Sequence, residues 1–107
     1  MFLLVRGDDG QAVELLEADD CTRLHVEAVG AEDTAVIGAL RAAGLTTAVV
    51  SDGEVPLGLA ALRQAAGARA TAPDWEARFD GMIAYARGKG WVDDTAGTVT
   101  AHIARRP

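Results

Sequence analysis

Two histidines and one cysteine are the whole supply of side chains that could titrate near neutrality or act as a strong nucleophile in this 107-residue sequence. His25 stands between Arg23 and Glu27, and a carboxylate two residues on could orient the imidazole as a general base. His102 follows Asp93 and Asp94 closely, and an Asp-His pair is the orienting half of many catalytic sites. The sequence sets no serine, cysteine or lysine nucleophile beside either one, and histidines paired with cross-strand charges are common on the wet faces of antiparallel sheets. His25, His102 and Asp93 are therefore the acid-base candidates, and no particular reaction follows from them.

Other chemistries have less to start from. Two distant histidines, with carboxylates mostly in turns, match no His-x-x-x-His or Cys-x-x-Cys spacing, so neither a metal nor any other cofactor is expected. Gly7-Asp8-Asp9-Gly10 is acidic, and Gly88-Lys89-Gly90 lacks a following helix, so no phosphate cradle is expected. Cys21 follows Asp19-Asp20, whose negative charge raises a thiol's pKa and discourages a reactive thiolate. Tyr85 and Trp91 are the candidates for ligand binding, because rings with a polar tip line many pockets. A tryptophan at a strand start beside an apolar helix is more often simply core.

The elements that must position these residues are read from periodicity. Phe2 to Arg6 is expected as a strand, Asp9-Gly10 as a tight turn and Ala12 to Ala18 as the returning strand. Thr22 to Val29 alternates, with Leu24, Val26 and Ala28 on one side and Arg23, His25 and Glu27 on the other, which predicts a three-stranded antiparallel meander. The period then changes to 3.6. Val36, Ile37, Leu40 and Ala43 share a helical face that ends at Gly44, where Leu45 can close back on Leu40. Thr46 to Ser51 is β-branched and predicts a fourth, buried strand. Leu57 to Ala66 reads as a short Ala-rich helix with Pro56 in its first turn.

The strongest helical signal is the stripe Trp75, Phe79, Met82, Ile83 and Ala86, preceded by Thr71, Pro73 and Asp74 as capping residues and closed by Gly88. Trp91-Val92 and Thr98 to Ala104 can pair as a hairpin before the basic end at Arg105-Arg106-Pro107. The expected fold is a single α+β domain over 1–107, with a mostly antiparallel sheet, three helices packed on one face and the order βββαβααββ.

Composition limits the function classes. Half of the residues are hydrophobic and 24% are charged, a globular balance that needs no metal or disulfide to fold. A lone cysteine favours a reducing compartment. The apolar run Met1 to Val5 is too short for a signal-peptide core, and no stretch is long enough to span a bilayer, so a cytoplasmic protein without membrane contact is expected. The net charge is −6, with 11 acids and 3 bases in residues 1–54 against 5 acids and 7 bases in residues 55–107. The second half runs helix, helix, β-hairpin, an order that resembles a winged helix in topology. Asp74, Glu76 and Asp80 mix acids into the helix that would read a groove, so nucleic acid is not expected. The reading that remains is a non-catalytic binding or accessory protein that forms a homodimer or docks a protein partner, its Ala-rich helices permitting close approach. The alternatives are a cofactor-independent enzyme or ligand-binding module for an organic metabolite with His102 as acid or base, and DNA binding through the C-terminal half.

Overall fold

The computed structural model describes residues 1–7, 13–49 and 53–105. The chain runs β1 (Phe2–Arg6), β2 (Val13–Leu16), β3 (His25–Val29), α1 (Asp33–Ala42), β4 (Glu54–Gly58), α2 (Leu59–Gly67), α3 (Trp75–Gly88), β5 (Val92–Asp93) and β6 (Thr98–Arg105). It is an α+β fold with one six-stranded sheet in the order β2-β1-β3-β6-β4, and β5 also pairs with β6.

The sheet is mixed. β2 is antiparallel to β1, and β4 and β5 are antiparallel to β6, but β3 is parallel to both β1 and β6. The expected meander is therefore corrected: β3 lies on the side of β1 opposite to β2, so the chain must cross the end of β1 between Glu17 and Leu24. Glu17 starts that crossing with φ +54, a left-handed turn that Asp20 N–H closes on the Glu17 carbonyl at 3.0 Å. The turn expected at Asp9-Gly10 lies outside the described residues.

The fourth strand is also corrected. Thr46 to Val49 has no strand pairing, the end of the expected strand at residues 50 and 51 lies outside the described residues, and the strand found lies later, at Glu54–Gly58, where Val55 and Leu57 are buried. Its register with β6 sets Val55 opposite Ala101 and Leu57 opposite Val99. Pro56 is tolerated because β4 is an edge strand that needs no second ladder. The helix that was expected to begin near Pro56 begins instead at Leu59.

Alternate strand residues build one core. Leu3 and Val5, Val26 and Ala28, Val55 and Leu57, and Val99, Ala101 and Ile103 join the buried residues of α1, α2 and α3 in a single cluster. The stripe of α3 enters this cluster as its spacing predicts, with Trp75, Phe79, Met82, Ile83 and Ala86 all buried. Trp75 also donates its indole N–H to the Ala18 carbonyl at 2.7 Å. Beside it, Asp19 accepts from the Thr71 hydroxyl at 2.7 Å and from the Ala72 N–H at 2.9 Å. The crossover between β2 and β3 is thus fastened to the start of α3.

Helix ends follow the glycines. At α1, Gly44 takes φ +77, its N–H bonds the Arg41 carbonyl at 3.0 Å and the Leu45 N–H reaches the Leu40 carbonyl at 2.9 Å. These are the paired closing bonds of a Schellman motif, with Leu40 and Leu45 both buried behind it. Asp74 precedes α3 without a side-chain cap bond and pairs instead with Arg78 at 3.0 Å.

Candidate functional site

The end of α3 repeats the α1 motif and so places an aromatic pair. Gly90 takes φ +81, its N–H bonds the Arg87 carbonyl at 3.1 Å and the Trp91 N–H bonds the Ala86 carbonyl at 3.0 Å. In a Schellman motif the residue after the left-handed glycine folds back against the last helical turn. That residue is Trp91, and its ring meets Tyr85 edge-on with centroids 6.2 Å apart. Arg87 and Asp94 then clamp the helix to the β5–β6 turn, Nε to Oδ2 at 3.2 Å and Nη2 to Oδ1 at 2.9 Å. The hydrogen bond from Arg87 holds the Asp94 carboxyl below the usual range.

The sheet supplies the other wall. β5 and β4 both pair with Thr98 and Val99 of β6, so β5 occupies the edge of β6 that β3 also uses. β3 begins only at His25, opposite His102, which leaves Thr100 and Ala101 facing the interval between the two strands. The Thr100 N–H bonds the Trp91 carbonyl at 2.8 Å and closes one end of this interval.

A cleft of about 260 Å³ opens there, lined by Thr22, Arg23 and Leu24 before β3, Met82, Ile83, Tyr85 and Ala86 of α3, Trp91, and Val99 and Thr100 of β6. Its inner wall is apolar. Its lip carries two of the large hydrophobic side chains most open to solvent, Tyr85 at 62% and Trp91 at 46% exposure. Lys89 lies over the Tyr85 ring, its Nζ 5.6 Å from the centroid. Of the residues singled out in the sequence, Tyr85 and Trp91 are thus brought together, and Trp91 lies at a surface instead of in the core.

The histidines meet elsewhere. Across adjacent strands the ladder pairs Leu16 with Phe2, Phe2 with His25, His25 with His102, and His102 with Glu54. This row alternates with the core residues of its strands and lies on the opposite face of the sheet. Phe2 stacks on His25 with centroids 5.2 Å apart and planes 12° apart, and His25 Nε2 lies 2.8 Å from Glu27 Oε2. His102 is exposed. Asp93 is not beside it: the register sets Asp93 opposite Thr98, and Asp93 Oδ1 accepts the Thr95 and Ala96 N–H groups at 3.0 Å.

Cys21 is half-buried, and its thiol pKa is raised, by burial first and by Asp20 to a lesser degree. Among the described residues no group of three histidine, cysteine or acidic side chains could hold a metal ion, and no helix is long and apolar enough to cross a membrane.

No protein-family model, curated protein or solved structure matches this chain.

Two contributions were out of reach of the sequence. Arg23 and Thr100 line the cleft only because β3 starts late and β5 is short, and Glu54 joins His102 only through the β4 register. The one sequence signal for the cleft is the run Tyr85-Ala86-Arg87-Gly88-Lys89-Gly90-Trp91, a helix end with a C-terminal glycine and rings on both sides of it.

Proposed function

We propose that this protein is a cytoplasmic, non-catalytic binding protein that takes up a small organic ligand in the cleft beneath Tyr85 and Trp91. The observation that carries the reading is the pair of solvent-exposed rings held edge-to-face on the lip of a largely apolar slot. Exposed aromatic surface costs solvation, and a covering ligand removes that cost. The slot is somewhat smaller than the ~300–1,000 Å³ sites of drug-sized ligands, which favours a molecule of one or two rings over a peptide segment. The rest of the polar surface suits a binder without chemistry of its own. Arg63 with Asp80, Arg78 with Asp74, Arg87 with Asp94 and Arg105 with Asp33 are tied in ion pairs, and those on α3 leave little free positive charge for a nucleic acid.

The test is a fragment screen read by NMR. Ring compounds should move the indole N–H signal of Trp91 in a saturable way and leave that of Trp75 in place, and Trp91→Leu should abolish binding while the protein stays folded. If fragments instead gather at other residues, or move nothing, the cleft is not the binding site.

Self-association belongs to the same reading. Among the described residues no strand pairs with the outer edge of β2, and an apolar cleft of about 450 Å³ lies beside it, lined in part by Val13, Leu15, Ala61 and Ala65. A second copy could extend the sheet there while the small alanine side chains allow close approach. Light scattering across a concentration series should then report a dimer.

An acid-base enzyme is the second reading, favoured by the row that sets His102 between His25 and Glu54. We infer that the three helices share the core face, which would leave His102, the exposed histidine of this row, open to a substrate. A broad screen of chromogenic esters and phosphoesters tests it, since any turnover must disappear in His102→Gln.

A further inference from the structure

The lining of the Tyr85–Trp91 cleft also bears on the chemical class of its ligand. The chain holds 16 acidic residues, yet none of them lines this cleft. Its polar lining residues are Arg23, Trp91, Tyr85, Thr22 and Thr100; a guanidinium and an indole N–H only donate, and the hydroxyls can donate or accept.

Most of these donors are uncommitted. Among the described residues Arg6, Arg63, Arg78, Arg87 and Arg105 each have a carboxylate partner, whereas Arg23, Arg41 and Arg69 have none, and of these three Arg23 lines the cleft. Lys89, the cation over Tyr85, likewise has no carboxylate partner among them. Asp20, three residues before Arg23, is engaged by the Thr22 side chain and backbone N–H. Those hydrogen bonds, ahead of any charge from Arg23, hold the Asp20 carboxyl below the usual range. Thr22 is therefore occupied, and Thr100 alternates with the core residues Val99 and Ala101 of β6, so the donors left for a ligand are Arg23, Trp91 and Tyr85.

A cation with no carboxylate in the same lining, next to rings and aliphatic side chains, defines a complement: a flat apolar body with one anionic end. We propose that the cleft binds a small aromatic carboxylate, its ring lying against Trp91, Ile83 and Leu24 and its carboxylate at Arg23. The Arg23 fork can meet both carboxylate oxygens at once, which a neutral alcohol or amide cannot reproduce. This inference rests on the cleft being the binding site and adds the ligand's charge and shape.

The test uses the whole 107-residue chain and four probes: 2-naphthoate and benzoate, which have ring and charge; 2-naphthylmethanol, with the ring alone; and acetate, with the charge alone. Affinities are read from the shifts of the Trp91 indole signal at low salt. The inference predicts that 2-naphthoate binds about ten-fold more tightly than 2-naphthylmethanol, the effect of one charge-assisted pair near solvent, and that acetate does not saturate. Arg23→Gln should remove the ten-fold preference and leave 2-naphthylmethanol unaffected. The exposed Arg23 side chain is absent from the core cluster, so this variant is expected to fold.

Equal affinities of 2-naphthoate and 2-naphthylmethanol, or a preference that survives in Arg23→Gln, would overturn the carboxylate assignment while leaving the cleft in place as a ring-binding site. Failure of both naphthyl probes to move Trp91 would overturn the cleft itself.

Discussion

Truncation of Phe79 to alanine probes the layer on which the cleft is built. The ring is 1% exposed and lies 5.1 Å from the Trp75 ring, with the Arg63 guanidinium over it, 4.7 Å from its centroid. Removing a buried phenylalanine side chain costs about 3–5 kcal/mol in transfer and cavity terms together. Loss of the ring-ring contact is part of that figure, and the cation contact, with Arg63 partly in water, adds at most about 0.5–1 kcal/mol. A destabilisation of about 4 kcal/mol is therefore expected. With a urea slope of about 1.5 kcal/mol/M, ordinary for a small domain, the unfolding midpoint falls by roughly 2–3 M. Phe79→Leu keeps most of the volume and should cost less than about 1.5 kcal/mol. Urea titrations followed by far-UV circular dichroism measure both variants. A loss under about 1 kcal/mol for Phe79→Ala, with an unchanged slope, would mean that the α3 stripe is not interior and that the wall beneath the cleft is wrongly drawn.

Gly7→Ala should destabilise by roughly 1–3 kcal/mol, since a Cβ there would sit 2.1 Å from the Gly30 carbonyl oxygen where β1 and β3 end together; thermal melts that match wild type would contradict this approach of the two strands. Gly90→Ala meets no atom within 4 Å but must hold φ +81, so it should cost about 1 kcal/mol in stability and shift the Tyr85 and Trp91 ring signals together; an unmoved ring pair would break the link between helix end and cleft. The pH dependence has a defined sign. Hydrogen bonds from Ala72 and Thr71 hold the Asp19 carboxyl below its ordinary value of 3.8, so the folded state favours the ionised form. This contribution is complete above pH 3.8 and is lost as the pH falls through the lowered folded value. Asp20 and Asp94 act in the same direction. Asp19→Asn should therefore flatten, without removing, the acid limb of a stability-pH profile, and an unchanged limb would exclude the Asp19 tie.

What could be read from the sequence was what local periodicity and end signals control. The α3 stripe, the Gly44 cap with its Leu40–Leu45 closure, and the last hairpin all depend on residues a few positions apart. Pairing between distant strands was not legible. Alternation at Arg23 to Ala28 identifies a strand but does not distinguish an antiparallel neighbour from a parallel one, and the nearest-neighbour assumption gave a meander that the β1–β3 ladder replaces. Thr46 to Val49 has the better β propensity, yet Glu54–Gly58 is the strand, because Val55 and Leu57 can face Ala101 and Val99 in the core while Pro56 stays at an edge. Tyr85 and Trp91 were visible as rings with polar tips. Their cleft was not, since it exists only where β3 starts after β5 has stopped.

The most direct measurement is the exposure of the two indole N–H groups to a soluble gadolinium chelate, with and without a ring ligand. Trp75, bonded to the Ala18 carbonyl and 5% exposed, should keep its signal throughout. Trp91 should be bleached in the free protein and should recover as 2-naphthoate saturates. A Trp91 signal as protected as that of Trp75 in the free protein, or bleaching that no ring compound relieves, would contradict a ligand cleft at this position.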